Sequence, residues 1–290
     1  MSMKLHFIGV GKMGLPMALH LQAAFQSISV SDAVPAAEQA ASARGLACQP
    51  LPEGVAQADV VLSSLPHDDA LRLVAAKVAA AARPGTVYVD TSTVSLEASA
   101  DAAAACAARG VPYVRCTVSG NNKMAEAAAL TVMGSGPKAA WAQVLPLLQC
   151  LGPNHFYLGD GEQARLMKLV VNLMIAQTSA MLAEALTLGR KGGLDWQDMW
   201  QVLGASAVAS PIVKAKSVQL SQRDFTPTFT VEQMVKDLKL ILGAGEASHV
   251  PLAQTAVTLQ WMQAAIAQGD GQDDYAAIIK SVERSAGITP

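Results

Sequence analysis

The rhythm of hydrophobic positions changes about half-way along the chain. In the first half, short apolar runs at 4–8, 28–31, 59–64, 86–90 and 112–116 are bounded by Gly, Pro, Asp or Ser, the pattern of buried strands. Alanine-rich stretches at 13–24, 35–44, 69–82 and 95–109 lie between them and read as helices. Two further strand-like runs, 129–133 and 155–158, enclose a helical stretch at 137–150. This alternation predicts a parallel sheet covered by helices on both faces. Beyond Gly159 no strand pattern follows. Helical stretches at 161–189, 195–204, 211–220, 230–247, 252–268 and 274–285 are separated by Gly, Pro and Asp/Ser/Thr. The expected organisation is a doubly wound α/β domain over residues 1–161 and an all-α domain over 162–290, joined directly by the long helix.

Composition narrows the classes of function. Of 290 residues, 51% are hydrophobic and 15% charged, ample for a core and outside the disordered class. The net charge is −2 and no basic block occurs, so no nucleic-acid partner is expected. Cys48, Cys106, Cys116 and Cys150 form no C-x-x-C pair and read as reduced, mostly buried thiols. The five histidines form no H-x-x-x-H, so no metal site is expected. The N-terminus runs into a strand without a signal-peptide h-region. The most apolar stretch, 166–188, carries Lys168, Asn172, Gln177 and Glu184, which argues against a membrane span. The expectation is a soluble, cytoplasmic protein.

The first chemistry-bearing motif is Gly9-Val10-Gly11-Lys12-Met13-Gly14, a G-x-G-x-x-G between the first strand and the first helix. Gly9 permits the tight turn, Gly11 lets backbone approach a pyrophosphate, and Gly14 lets helix and strand pack closely. The helix N-terminus then offers N–H groups to the phosphates. This context makes the α/β domain one of Rossmann type. Asp32, at the end of the second strand, lies 21 residues after Gly11. A carboxylate there accepts ribose hydroxyls and repels a 2′-phosphate. Ala33-Val34-Pro35 offers no cation for that phosphate, so NAD is expected over NADP.

Four separated blocks make the chain resemble the β-hydroxyacid dehydrogenases, the group of 3-hydroxyisobutyrate dehydrogenases and tartronate semialdehyde reductases, related to 6-phosphogluconate dehydrogenase. They are the glycine loop Gly9–Ala18 with Met13; a loop from Arg115 to Met133 containing Ser119-Gly120-Asn121; Gly159-Asp160-Gly161 followed by Lys168 and Asn172; and Lys236-Asp237-Leu238. The resemblance implies that Leu65, Pro66 and Thr93 line the nicotinamide half of the cofactor site. It implies that Ser119, Gly120, Asn121 and Lys236 meet a small carboxylate substrate, Lys236 also contacting cofactor. It implies that Lys168 transfers the hydroxyl proton with Asn172 beside it, and that the chain forms a homodimer or homotetramer. A lysine is a poor base near its ordinary pKa of ~10.4. Partial burial, a positive nicotinamide and a nearby Lys236 would each disfavour the ammonium form.

Asn121, Met124 and Ala128-Ala129 stand where the family's loop has Gly, Gly and Gly-Thr. Asn121 tolerates positive φ better than most residues and Met124 does not, so the loop is expected to take its own path. Asn121, Asn122 and Lys123 suggest a substrate with an extra polar or anionic group. Alternatives are an NADP-linked semialdehyde reductase, an imine reductase or a non-catalytic NAD-binding module. Retention of Lys168 argues against the last two.

Overall fold

The computed structural model describes residues 3–289, which divide into two compact units, one ending at Lys168 and one starting at Leu169. The first unit is built on one eight-stranded sheet in the order β3-β2-β1-β4-β5-β6-β7-β8. Its strands are β1 (Leu5–Ile8), β2 (Ile28–Ser31), β3 (Ala47–Cys48), β4 (Val60–Ser63), β5 (Val87–Asp90), β6 (Tyr113–Ser119), β7 (Thr131–Ser135) and β8 (Asn154–Tyr157). The helices of this unit are α1 (Gly14–Phe25), α2 (Pro35–Ala43), α3 (Leu51–Gln57), α4 (Asp68–Ala81), α5 (Leu96–Ala107), α6 (Asn122–Glu126) and α7 (Lys138–Leu148). Phe7, Val30, Leu62 and Val89 pack into one core with Met17 and Leu21 of α1. Ile8, Val61 and Tyr88 point the other way, into a second core with Leu71 and Val78 of α4. Burial on both faces explains why β4 and β5 carry apolar or aromatic residues in succession, Val60-Val61-Leu62 and Val87-Tyr88-Val89, whereas β2 alternates Ile28-Ser29-Val30-Ser31.

The sheet departs from the all-parallel arrangement expected. β6 and β7 pair antiparallel, with Val118 opposite Val132, and every other neighbouring pair is parallel. The link from Ser119 to Thr131 holds only the one-turn helix α6, whereas a parallel return needs a crossover of about a dozen residues or more. Three elements lie outside the expected set: β3, α3 and α6. β3 has two residues, and α3 opens Leu51-Pro52-Glu53-Gly54, where Pro sits harmlessly in the first turn. Of the cysteines, Cys106 and Cys116 are buried and burial pushes both thiols up to about 12. Cys48 is exposed, contrary to the expectation of mostly buried thiols.

Helix α8 (Gln163–Lys191) carries the chain from the first unit into the second. By length and composition it could cross a membrane. Its buried positions include Arg165, Lys168, Asn172, Ser179 and Thr187, a polar series that a hydrocarbon core would penalise. Its apolar residues are split between the two faces: Leu169, Leu182 and Leu186 are buried, whereas Leu166, Met167, Val170, Met174, Met181 and Leu188 are exposed. The second unit continues with α9 (Trp196–Ala205), α10 (Pro211–Leu220), α11 (Val231–Ala247), α12 (Ala253–Ala267), a 3-10 turn at Tyr275–Ala277 and α13 (Ile278–Ser285). No described residue after Tyr157 belongs to a named strand. The helix starts are capped as their sequences suggest, by Asp195 on α9, Ser210 on α10 and a Thr230/Gln233 capping box on α11.

Candidate active site

The dinucleotide loop lies where β1 meets α1, and the three glycines serve three different needs. Gly9 has φ +87°, and a Cβ on it would stand 2.3 Å from the Ser64 carbonyl oxygen. A Cβ on Gly14 would stand 1.9 Å from the Gly9 carbonyl oxygen and 3.1 Å from Phe7. At Gly11 a Cβ would meet nothing within 4 Å. Packing demands the first two, whereas the open side of Gly11 is the approach a pyrophosphate requires. No side chain caps α1; the Leu15 N–H donates to the Gly11 carbonyl oxygen at 3.0 Å and Pro16 has no N–H, which leaves the Gly14 end of the helix for an anionic ligand. These residues fit a dinucleotide. Lys12 is exposed beside the turn, and Met13 is the residue preceding the helix.

Asp32 is held rigidly. Its Oδ2 accepts the Val10 N–H at 2.7 Å and its Oδ1 accepts the Val34 N–H at 2.8 Å. Asp32 is therefore tied to the glycine loop and is not the N-cap of α2, which is Val34. Glu38, a residue that sequence reasoning missed, accepts the Asp32 N–H at 3.0 Å. Two carboxylates thus stand at the end of β2. Its signal in the sequence was only an acidic residue in the first turn of α2, the commonest place for one.

The nicotinamide-side residues follow β4 and β5, whose ends are in register with β1: Ile8 is opposite Ser63, and Ser63 is opposite Asp90. The Leu65 N–H donates to Ser92 Oγ at 2.8 Å, and Pro66 and Thr93 flank that contact in sequence. Gly9, Asp32, Leu65, Pro66 and Thr93 therefore share the carboxyl edge of the parallel strands, the edge at which open α/β sheets bind ligands.

The loop after β6 takes a path of its own. Gly120 has φ +140° and lies against Leu130 and Met124. Asn121 is extended, with φ −103°, and not in the left-handed region; its Oδ1 accepts the Met124 N–H at 3.0 Å and caps α6. Met124 is accommodated because α6 gives it a helical backbone. The positive φ falls instead on Ala128, at 49°. His20 Nε2 lies 3.0 Å from the Ala125 carbonyl oxygen, which ties α6 back to α1. Ser119 and Gly120 open this loop, with Lys123 exposed on α6.

Lys168 is only 9% exposed, although Leu166, Met167 and Val170 around it face outward. A solvent-facing lysine would show the reverse pattern. Asn172, one helical turn further on, is buried and donates from Nδ2 to Asp237 Oδ2 at 2.6 Å. Lys236 Nζ stands 3.0 Å from Asp237 Oδ1, an ion-pair contact. Asp237 is thus a second residue that sequence reasoning passed over. It gathers Asn172 and Lys236, and its signal was its place in the Lys-Asp-Leu block.

Comparison with known proteins agrees with this geometry. Residues 4–159 match the NAD-binding domain of 6-phosphogluconate dehydrogenase, and residues 162–282 match the NAD-binding region of NADP-dependent 3-hydroxyisobutyrate dehydrogenase. The chain belongs to the β-hydroxyacid dehydrogenase family. It is 35% identical to 2-(hydroxymethyl)glutarate dehydrogenase of Eubacterium barkeri over 99% of this chain and 97% of that one. It is 30% identical to a probable 3-hydroxyisobutyrate dehydrogenase of Mycobacterium tuberculosis over 97% and 98% of the two chains. The structure of 3-hydroxyisobutyrate dehydrogenase from that organism with L-serine superposes with a TM-score of 0.90 at 28% identity, covering 97% and 99% of the chains. These relatives are named as dehydrogenases of hydroxy acids, and this chain carries NAD(P)-binding domains.

Proposed function

We propose that this β-hydroxyacid dehydrogenase interconverts a small 3-hydroxy acid and its semialdehyde with NAD(H), Lys168 serving as general acid and base. The observation that carries the reading is the buried Lys168 on a helix where Leu166, Met167 and Val170 beside it are exposed. When bound, NAD(H) accepts or supplies the hydride. In the oxidative direction the neutral Lys168 amine takes the hydroxyl proton; in the reductive direction its ammonium returns one to the forming alkoxide. Asn172, held by Asp237, orients the reacting oxygen. Ser119 and the Gly120 N–H receive the substrate carboxylate. The paired Asp32 and Glu38 carboxylates favour NAD over NADP, because a 2′-phosphate would enter a doubly negative surrounding.

The substrate carries a second polar or anionic group. Asn122 and Lys123 stand in the loop that meets it, and the relative named for 2-(hydroxymethyl)glutarate, a dicarboxylate, supports the same reading. The exposed apolar residues of α8 support assembly into a homodimer or homotetramer. The test is turnover with NAD and NADP over a panel of 3-hydroxy acids with and without a second carboxylate, with Lys168→Ala alongside. The reading expects NAD, a dicarboxylate and an inactive variant. A near-normal rate for Lys168→Ala refutes the mechanism, and best turnover of plain 3-hydroxyisobutyrate refutes the second anionic group.

A further inference from the structure

We propose that Arg165 is a positioning residue, clamping the root of α8 so that Lys168 is set against the nicotinamide-side loop. Arg165 is 1% exposed and uses three of its nitrogens within the first unit. Nη2 donates to Asp90 Oδ2 and to the Tyr113 hydroxyl at 2.9 Å, Nη1 donates to the Ser92 carbonyl oxygen, and Nε donates to Ser99 Oγ at 3.1 Å. Asp90 is fully buried. Its Oδ1 accepts the Ser63 and Ser92 hydroxyls. The same Ser92 hydroxyl oxygen accepts the Leu65 N–H. A continuous chain of hydrogen bonds therefore runs from Leu65 through Ser92 and Asp90 to Arg165.

Two further contacts hold the same helical turn. The Ala164 N–H donates to Ser135 Oγ at 3.1 Å and Thr117 Oγ1 donates to the Ala164 carbonyl oxygen at 2.9 Å. Just before the helix, Arg115 Nε donates to Glu162 Oε1 at 2.8 Å. Lys168 follows Arg165 by three residues, a rise of ~4.5 Å along one rigid turn. Any shift of the clamp is thus transmitted to the lysine. A buried ion pair is a poor device for stability alone, since apolar residues of like volume often serve as well. Its fork of directed bonds fixes orientation, which apolar packing does not. A misplacement of ~1 Å at a reacting group is enough to cost about 100-fold in rate.

The proposal rests on Lys168 as the proton-transfer group, so its test includes a readout that needs no substrate. Arg165→Met, Arg165→Lys and Ser92→Ala are compared with the native enzyme by kcat, KM and the pH profile of kcat on its best hydroxy acid. Acetic anhydride labelling of Lys168, followed by mass spectrometry across pH with NADH present, supplies the independent readout. Arg165→Met is expected to lower kcat about 100-fold, with KM within about threefold and the Lys168 limb of the profile displaced. Arg165→Lys, which keeps the charge, recovers at least about tenfold of that loss. Ser92→Ala keeps the ion pair but cuts the link to Leu65; it lowers kcat about fivefold or more and serves as the test if Arg165→Met does not fold. A falling melting temperature with kcat and pH profile unchanged makes Arg165 structural only and overturns the proposal. If no hydroxy acid is turned over by the native enzyme, the functional reading fails separately. The clamp is then judged by labelling alone, where an unchanged pH midpoint for Lys168 in Arg165→Met overturns it.

Discussion

His6 makes the nucleotide-binding unit sensitive to acid in a way that can be worked out from its surroundings. The ring is fully buried on β1, three residues before the glycine turn, with Nδ1 2.9 Å from Ser29 Oγ and Nε2 3.0 Å from Ser31 Oγ. A Cβ on Gly54 of α3 would stand 2.2 Å from the ring, so the cavity has no room for a water shell. Burial lowers the His6 pKa from 6.5 to about 4. The unfolded chain therefore binds a proton that the native state refuses between those values. The neutral ring's contribution is fully present above 6.5 and is lost as pH falls towards 4. At ~1.4 kcal/mol per pH unit the loss approaches ~3 kcal/mol, of which ~2 kcal/mol is gone by about pH 5. Urea unfolding of the native protein and His6→Gln at a series of pH values isolates this contribution, since the carboxylates titrate alike in both. The difference in unfolding free energy should move by ~2 kcal/mol between about pH 7.5 and 5, against the native protein at the acid end. A difference that stays flat within ~0.5 kcal/mol would refute the argument that the ring is held neutral.

Three further outcomes follow from particular residues. Ala128 occupies the left-handed region at φ 49°, where an L side chain costs ~1–2 kcal/mol; Ala128→Gly should recover ~0.5–1 kcal/mol net of the added unfolded-state freedom, as measured by urea unfolding. A destabilised variant would show that the Ala128 methyl packs more than it strains. Glu38→Gln removes one of the two charges at the end of β2 and should tighten NADPH binding about fivefold by fluorescence titration, leaving NADH within about twofold; equal effects on both cofactors would count against electrostatic selection. Met181→Asp places a charge among the exposed apolar residues of α8 and should yield monomers by light scattering where the native chain forms dimers or tetramers. A native protein that is monomeric at micromolar concentration ends that reading.

The elements that local pattern can specify were legible without the fold. β1 and β2 are short β-like runs ended by Gly and Asp, and the chain's rhythm separates strands from helices at the right places. Gly9 and Gly14 have a packing reason to lack a Cβ, and Gly11 leaves the approach to the turn open. Lys168 and Asn172 were singled out by the resemblance to the family's catalytic block, and their spacing puts them one turn apart on one helix. Less legible was anything decided by a partner distant in sequence. The reversal at β7 depends on how little chain joins it to β6. The path of the loop after Ser119 depends on α6, where Asn121 caps rather than turns. Glu38 and Asp237 look like ordinary surface acids until β2 and α8 are brought beside them.

The glycine turn at Gly9–Gly14 was legible in the sequence by itself, because it follows from glycine's small size, and so was the long helix that carries Lys168, because it follows from periodicity. Only the tertiary structure decided which face of that helix is buried. Arg165, Lys168 and Asn172 lie inward together with Leu169, Leu182 and Leu186, while Leu166, Met167, Met174 and Met181 face outward, so the buried face mixes polar and apolar residues. Hydrophobicity along a segment says how much apolar surface must be covered. It does not say that Asp90, Tyr113 and Ser99, from 52 to 75 residues away, will converge to satisfy a buried guanidinium instead.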